Sequence, residues 1–179
     1  MKVTELKKNL SNLTKDELIR DIADLFKKNP FVKDYYIAKF QSENSEEILS
    51  KYKLVIKNEF FPERGFGKER LSVAKKAITE FSKISNNKEL ISELMIYYVE
   101  MGVEYTNTYG DITESFYNSM EGMYERALKQ ITNENLTSKF KERCLKIVTD
   151  TKGIGWGFHD GLAETYATYI GLQKHNKSL

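Results

Sequence analysis

Residues 88–114 read KELISELMIYYVEMGVEYTNTYGDITE, and this stretch decides the fold. Leu90, Leu94, Tyr98, Met101, Tyr105 and Tyr109 recur at the three- and four-residue spacing of one helix face, and Ile91, Met95 and Val99 add a second. So much apolar circumference predicts a central, largely buried helix over about 88–109. The remaining stripe is acidic, with Glu93, Glu100 and Glu104, followed by Asn107. Gly110 suits the position just past a helix end. Asp111-Ile112-Thr113-Glu114 then reads as an Asp/Glu form of the capping box that opens a partner helix. A connection this short makes the pair an antiparallel αα-hairpin, with Met101, Tyr105, Phe116 and Met120 expected inside it.

Outward from the hairpin, the rest of the chain also reads as helix. Thr14-Lys15-Asp16-Glu17 is a capping box ahead of Leu18, Ile22, Leu25 and Phe26. Pro30 fits the first turn of a second helix, and Ser45-Glu46-Glu47 caps a third. Helix resumes near Ser72 after Phe61-Pro62-Glu63-Arg64-Gly65-Phe66-Gly67-Lys68. Another covers roughly Ser138 to Asp150. A last one follows Gly153-Ile154-Gly155-Trp156-Gly157, whose glycines are expected to turn the chain so that Trp156 enters the core. No segment alternates with the period of a strand. The expected fold class is therefore all-α, a compact array of roughly seven or eight helices in antiparallel pairs around the central hairpin, in one domain spanning residues 1–179.

Composition narrows the function classes. The 179 residues are 40% apolar and 30% charged, with two prolines and ten glycines, which is globular composition. The net charge of +2 requires no polyanionic partner, although residues 1–87 are net basic and residues 88–179 net acidic. The charged N-terminus lacks a signal-peptide run, and no apolar stretch has the length of a membrane span. Cys144 is the only cysteine, so no intrachain disulfide forms, and a cytoplasmic location is expected. Its neighbours Phe140, Ile147 and Val148 make it a core residue rather than a nucleophile.

Three segments together resemble a known family: Phe60-Phe61-Pro62 with Arg64-Gly65-Phe66-Gly67-Lys68; Tyr109-Gly110-Asp111-Ile112 with Glu114; and Gly155-Trp156-Gly157-Phe158-His159-Asp160. The family comprises small, uncharacterised bacterial helical proteins carrying a domain of unknown function, and the resemblance runs from Leu13 to Tyr169. It implies bacterial origin and an all-helical fold. It carries over no activity and no site residue.

Three functional readings follow from the residues. The leading one is a non-enzymatic binding or scaffold module for another macromolecule, with a protein as the expected partner. No nucleophile–base pair or nucleotide motif speaks for an enzyme, and no cofactor is named by the sequence. The alternative is a phosphate or nucleic-acid binder built on the basic Lys51–Lys76 span, where Arg64, Lys68 and Arg70 flank a glycine loop. Arg64-Gly65-Phe66-Gly67 opens like an aromatic RNA-binding strand motif, but Lys68-Glu69-Arg70 breaks it, and the sheet it needs is missing. The second alternative is a metal or small-ligand site around His159, Asp160, Glu100, Glu104 and Tyr105, approached if the last helix folds back on the hairpin. The Glu-x-x-His pattern of carboxylate-bridged metal pairs is absent from the sequence. His175 is a lesser candidate.

Overall fold

The computed structural model describes residues 1–41 and 44–171, and Thr14, Pro30 and Gly110, read from the sequence, stand at helix ends. Among the described residues there are nine helices and no strand: α1 (Val3–Leu10), α2 (Lys15–Lys28), α3 (Pro30–Phe40), α4 (Ser45–Phe60), α5 (Leu71–Ile84), α6 (Lys88–Tyr109), α7 (Glu114–Asn133), α8 (Thr137–Asp150) and α9 (Phe158–Tyr169). The expectation of seven or eight helices omitted α1, whose eight residues offer only Val3, Leu6 and Leu10 as apolar signal. Thr14 caps α2 as expected, accepting from the Glu17 amide at 3.3 Å while Glu17 accepts from the Thr14 amide at 2.8 Å. Asn29 caps α3 ahead of Pro30, and Asn87 caps α6. No helix of the described residues is long and apolar enough to cross a membrane. His175 lies outside the described residues.

Two units emerge, Met1–Ser45 and Glu46–Leu179. In the first, α2 packs on α3, and none of α1, α2 or α3 has a buried residue. The second holds the hydrophobic core. There α6 packs on α5, α7 and α8, while α7 and α8 both pack on α9. Leu90, Ile91, Leu94, Met95, Ile96, Tyr98, Val99 and Val103 of α6 are all buried, so this helix is apolar on most of its circumference.

Three local expectations are corrected. Thr113, rather than Asp111, caps α7 by accepting from the Phe116 amide at 3.3 Å. The turn is tied instead by Tyr117, whose hydroxyl accepts from the Ile112 amide at 3.2 Å and bonds Thr106 at 2.8 Å. Met101 is only half-buried, whereas Tyr105, Phe116 and Met120 are buried. Gly102 beside it makes the close contact with α7 instead, where a Cβ would overlap the Met120 sulfur. Met101 lines a hollow with Arg143, Lys146 and Ile147 of α8.

The third correction is Trp156, which is 61% exposed. Trp156 and Gly157 both take left-handed φ, 63° and 69°, and this double reversal throws the indole outward. Phe158, the first residue of α9, fills the core in its place, with its ring 4.8 Å from that of Tyr117.

Candidate functional site

The segment between α4 and α5 is short of regular structure but heavily tethered. Its first residue, Phe61, lies against Tyr105 and Tyr109, with ring centroids 5.8 and 6.1 Å away. Its last two residues return to α4. The Glu69 amide donates to the Glu59 carbonyl at 3.0 Å, with Glu69 itself at φ 49°. The Tyr105 hydroxyl donates to the Glu69 carboxylate at 2.5 Å. Arg70 grips Glu59 with two guanidinium bonds, at 2.9 and 2.7 Å. Gly67 closes the wrap: a Cβ at this position would stand 2.7 Å from the Glu59 carbonyl oxygen and closer still to that of Phe60.

This tethering holds up an apex. Phe66, between the two glycines, is 83% exposed. Arg64 and Lys68 flank it and form no ion pair among the described residues. The three line a groove of about 560 Å³ whose other walls include Leu54, Asn58 and Pro62. Leu54 is 52% exposed, so the groove has an apolar wall as well as a cationic rim. Two carboxylates also reach it, Glu59 and Glu63. Of the three basic residues that the sequence nominated, the structure thus brings all to one groove, but Arg70 is already neutralised by Glu59.

The second set of nominated residues is divided among three places. Glu100 and Glu104 face α8 and line a concavity of about 430 Å³ with Met101, Asn107, Arg143 and Lys146. Both Glu100 oxygens are held by Arg143, at 2.8 and 2.7 Å, and Arg143 also bonds Glu93, which pairs with Lys53 at 2.6 Å. Tyr105 belongs to the aromatic cluster with Phe60, Phe61, Tyr109 and Phe116. His159 lines neither hollow. Its Nδ1 lies 3.0 Å from the Val148 carbonyl oxygen and 3.2 Å from the Thr151 hydroxyl, which ties the start of α9 to the end of α8. Asp160 is exposed in the first turn of α9. Among the described residues no group of three or more His, Cys, Asp or Glu is placed to hold a metal ion. Cys144 is fully buried, and burial pushes its thiol up to about 12.

Residues 1–169 match the model of DUF6155, a family of unknown function. The chain belongs to DUF6155. No curated protein and no solved structure matches it. The match to DUF6155 takes in the tethered loop, the Arg143 clamp and the α9 turn alike.

Two features of this DUF6155 chain had no readable signal. Glu59 and Arg70 are separated by a loop whose path only tertiary packing fixes, and Arg143 meets Glu93 and Glu100 across helices. Both pairings carry a consequence for acid stability. Arg70 hydrogen bonds hold the Glu59 carboxyl below its ordinary value despite burial. Burial pushes Glu93 up, but the bonds from Arg143 and Lys53 outweigh it, so the net direction is also down. Carboxylates with depressed folded-state values stabilise fully above the unfolded value of about 4.3 and lose that contribution as pH falls through the folded values. Urea midpoints are therefore expected to fall steeply below about pH 4. In Glu93→Gln the fall should be shallower, and an unchanged acid slope would show that Glu93 is not held as described.

Proposed function

We propose that the protein is a non-enzymatic binding module that takes a segment of a protein partner into the groove beside Phe66. The observation that carries this reading is a large aromatic side chain held out in water on a loop that is pinned at both ends. An apolar side chain left exposed by a rigid support is already oriented, so docking orders little that was free, and aromatic and arginine anchors dominate binding energies. Phe66 and Leu54 supply apolar surface, and Arg64 and Lys68 supply charge, so the fitting segment carries bulky apolar residues flanked by Asp or Glu.

A phosphate backbone fits less well. Polyanion binding rests on many simultaneous cation contacts, whereas Lys53, Arg70 and Lys76 of the basic span are each paired with a carboxylate.

Selection from a random peptide display library on the immobilised chain tests the reading. Acidic–hydrophobic sequences are expected to be enriched. Phe66→Ala, and separately the Arg64→Glu/Lys68→Glu pair, should reduce their binding at least tenfold with the thermal midpoint nearly unchanged. Arg70 is left alone because it neutralises Glu59. Absence of any enriched peptide, or binding indifferent to these substitutions, would remove the groove from consideration. Tight, steeply salt-dependent binding of a single-stranded oligonucleotide would instead support the polyanion reading.

A further inference from the structure

Two short connections, 85–87 and 134–136, lie at one end of the Glu46–Leu179 unit, where the Gln130 side chain donates to the Lys88 carbonyl at 3.0 Å. The three glycine-bearing connections, 61–70, 110–113 and 151–157, lie at the other. Contacts join them in turn. The ring of Phe61 stacks on that of Tyr109, the last residue of α6. Thr106 and Ile112 share the Tyr117 hydroxyl, and the Tyr117 ring meets that of Phe158, which follows the third connection. Asn107 donates to the Asp150 carbonyl at 2.9 Å, so the ends of α6 and α8 are also tied. Each connection shows one aromatic ring to water: Phe66 in the first, the 48% exposed Tyr109 at the start of the second, and Trp156 in the third. Among the described residues of this unit no other aromatic side chain is exposed.

Trp156 is employed by nothing in the fold. Left-handed φ is an outlier for a bulky residue, and such strain persists where the surroundings over-determine it, clustering at ligand clamps and active sites. The turn is held by the Ile154 amide on the Thr151 carbonyl at 3.1 Å and the Phe158 amide on the Gly155 carbonyl at 3.2 Å. Yet among the described residues the indole meets no other ring, lies beneath no cation and has no hydrogen-bond partner. A turn that strains its backbone to keep an unused tryptophan in water holds it for a molecule outside the chain.

We infer that Trp156 is a second anchor for the protein partner, and that the segment seated beside Phe66 continues over Tyr109 to reach it. The inference rests on the groove reading above, and chemistry commits the occupant to polypeptide. Tryptophan and tyrosine, each with an apolar face and a polar tip, are the side chains most enriched at the energetic centres of protein interfaces. The exposed charges nearest Trp156 along the chain, Lys152 and Asp160, are of opposite sign. The turn therefore selects neither a polyanion nor a polycation, and it takes an apolar side chain. Neighbouring helices pack about 8–10 Å apart, so the path from the first connection across α6 to the third spans on the order of 20–30 Å. An extended segment covers that path with about six to nine residues.

Trp156 is the only tryptophan, so fluorescence reports its own contact with a partner. Random displayed peptides of about 16 residues exceed the span and serve as the probe. A peptide enriched on the full chain should shift Trp156 emission to the blue and shield it from acrylamide. Trp156→Ala should weaken that peptide at least tenfold and leave its Phe66-dependent half, made as a shorter peptide, unaffected. Phe66→Ala should weaken both. Binding that depends on Phe66 but leaves the emission and the Trp156→Ala affinity unchanged overturns the second anchor, and the groove reading stands. Binding that depends on Trp156 and not on Phe66 overturns the groove reading, and the continuous segment with it. A chain that enriches no peptide loses both. Trp156→Gly controls for the fold: it relieves the left-handed strain and should hold or raise the urea midpoint. A lowered midpoint would show that the indole serves the fold and would overturn the inference.

Discussion

Phe60→Ala is expected to lower the unfolding free energy of the Glu46–Leu179 unit by about 3–5 kcal/mol, the range for removing a fully buried phenyl ring. Phe60 ends α4 with no exposure to solvent. Its ring meets those of Tyr98, Tyr105 and Phe116 edge-on, with centroids 5.9, 5.8 and 6.4 Å away. Each such edge-to-face pair contributes about 0.5–1.5 kcal/mol beyond the area it buries. The cavity would open where α4, α6 and α7 share the cluster, and ring-shaped neighbours collapse poorly into such a void. Urea titration followed by far-UV circular dichroism measures the loss. Phe66→Ala is the comparison, because an 83% exposed ring has little packing to forfeit and should shift stability by no more than about 0.5 kcal/mol. Equal effects from the two substitutions would show that the assignment of inside and outside on this loop is wrong.

That contrast also measures what could be read from the sequence. Phe60 and Phe66 are the same residue type six positions apart, and only one side of the contrast was legible. Phe60 ends a helical stripe of Ile48, Tyr52, Val55 and Ile56, so periodicity places it inside, although Val55 of the same stripe is 41% exposed. Phe66 sits between two glycines, where no periodicity applies, and neither the broken RNA-binding motif nor the family resemblance says which way its ring points. The helix ends at Thr14, Pro30 and Gly110 were legible because caps are local chemistry. The half-burial of Met101 was not, because it depends on how α6 sits against α7 and α8. Trp156 misled for a related reason: size and apolarity argued for burial, but two consecutive left-handed residues reversed its direction.

The nominated carboxylates show the same division. Glu93, Glu100 and Glu104 were read as an acidic stripe on α6, with Glu100 and Glu104 as the nominated ligands; Glu93 and Glu100 meet a partner inside the fold, while Glu104 lines the hollow beside them. That partner across the helix interface is Arg143, which the sequence places on α8 without any hint of register. The clamp turns what looked like a candidate ligand set into a half-buried ion network joining α4, α6 and α8 through Lys53, Glu93, Arg143 and Glu100. Charge on one helix face predicts that a partner is needed. It does not predict whether that partner is a side chain of the same fold or a molecule from outside.

Gly67→Ala is expected to cost about 2–4 kcal/mol and to release the loop from α4. The two loop glycines separate the possible causes. Gly65 has φ +77° with open space around it, so Gly65→Ala meets only the left-handed backbone penalty of about 1–2 kcal/mol. Gly67 has the opposite problem. Its added methyl would meet the carbonyl oxygens of Phe60 and Glu59, which are fixed by the last turn of a helix and cannot swing aside like a side chain. Overpacking against such atoms costs about 1–3 kcal/mol if the loop stays. If it leaves, the Glu69 amide loses the Glu59 carbonyl and Arg70 loses Glu59, whose side chain is only 6% exposed. An abandoned carboxylate there is costly, although the pair is worth less than a fully buried one because 55% of the Arg70 side chain faces water. Hydrogen exchange separates the mechanisms. The Glu69 amide should exchange slowly in the wild type and at least tenfold faster in Gly67→Ala, with the amides of α6 slowed or hastened only in proportion to global stability. Gly65→Ala should lose stability while keeping the Glu69 amide protected. Protection of that amide in Gly67→Ala, together with an unchanged urea midpoint, would show that the loop does not lie against the α4 carbonyls. The support beneath Phe66 would then have to come from elsewhere.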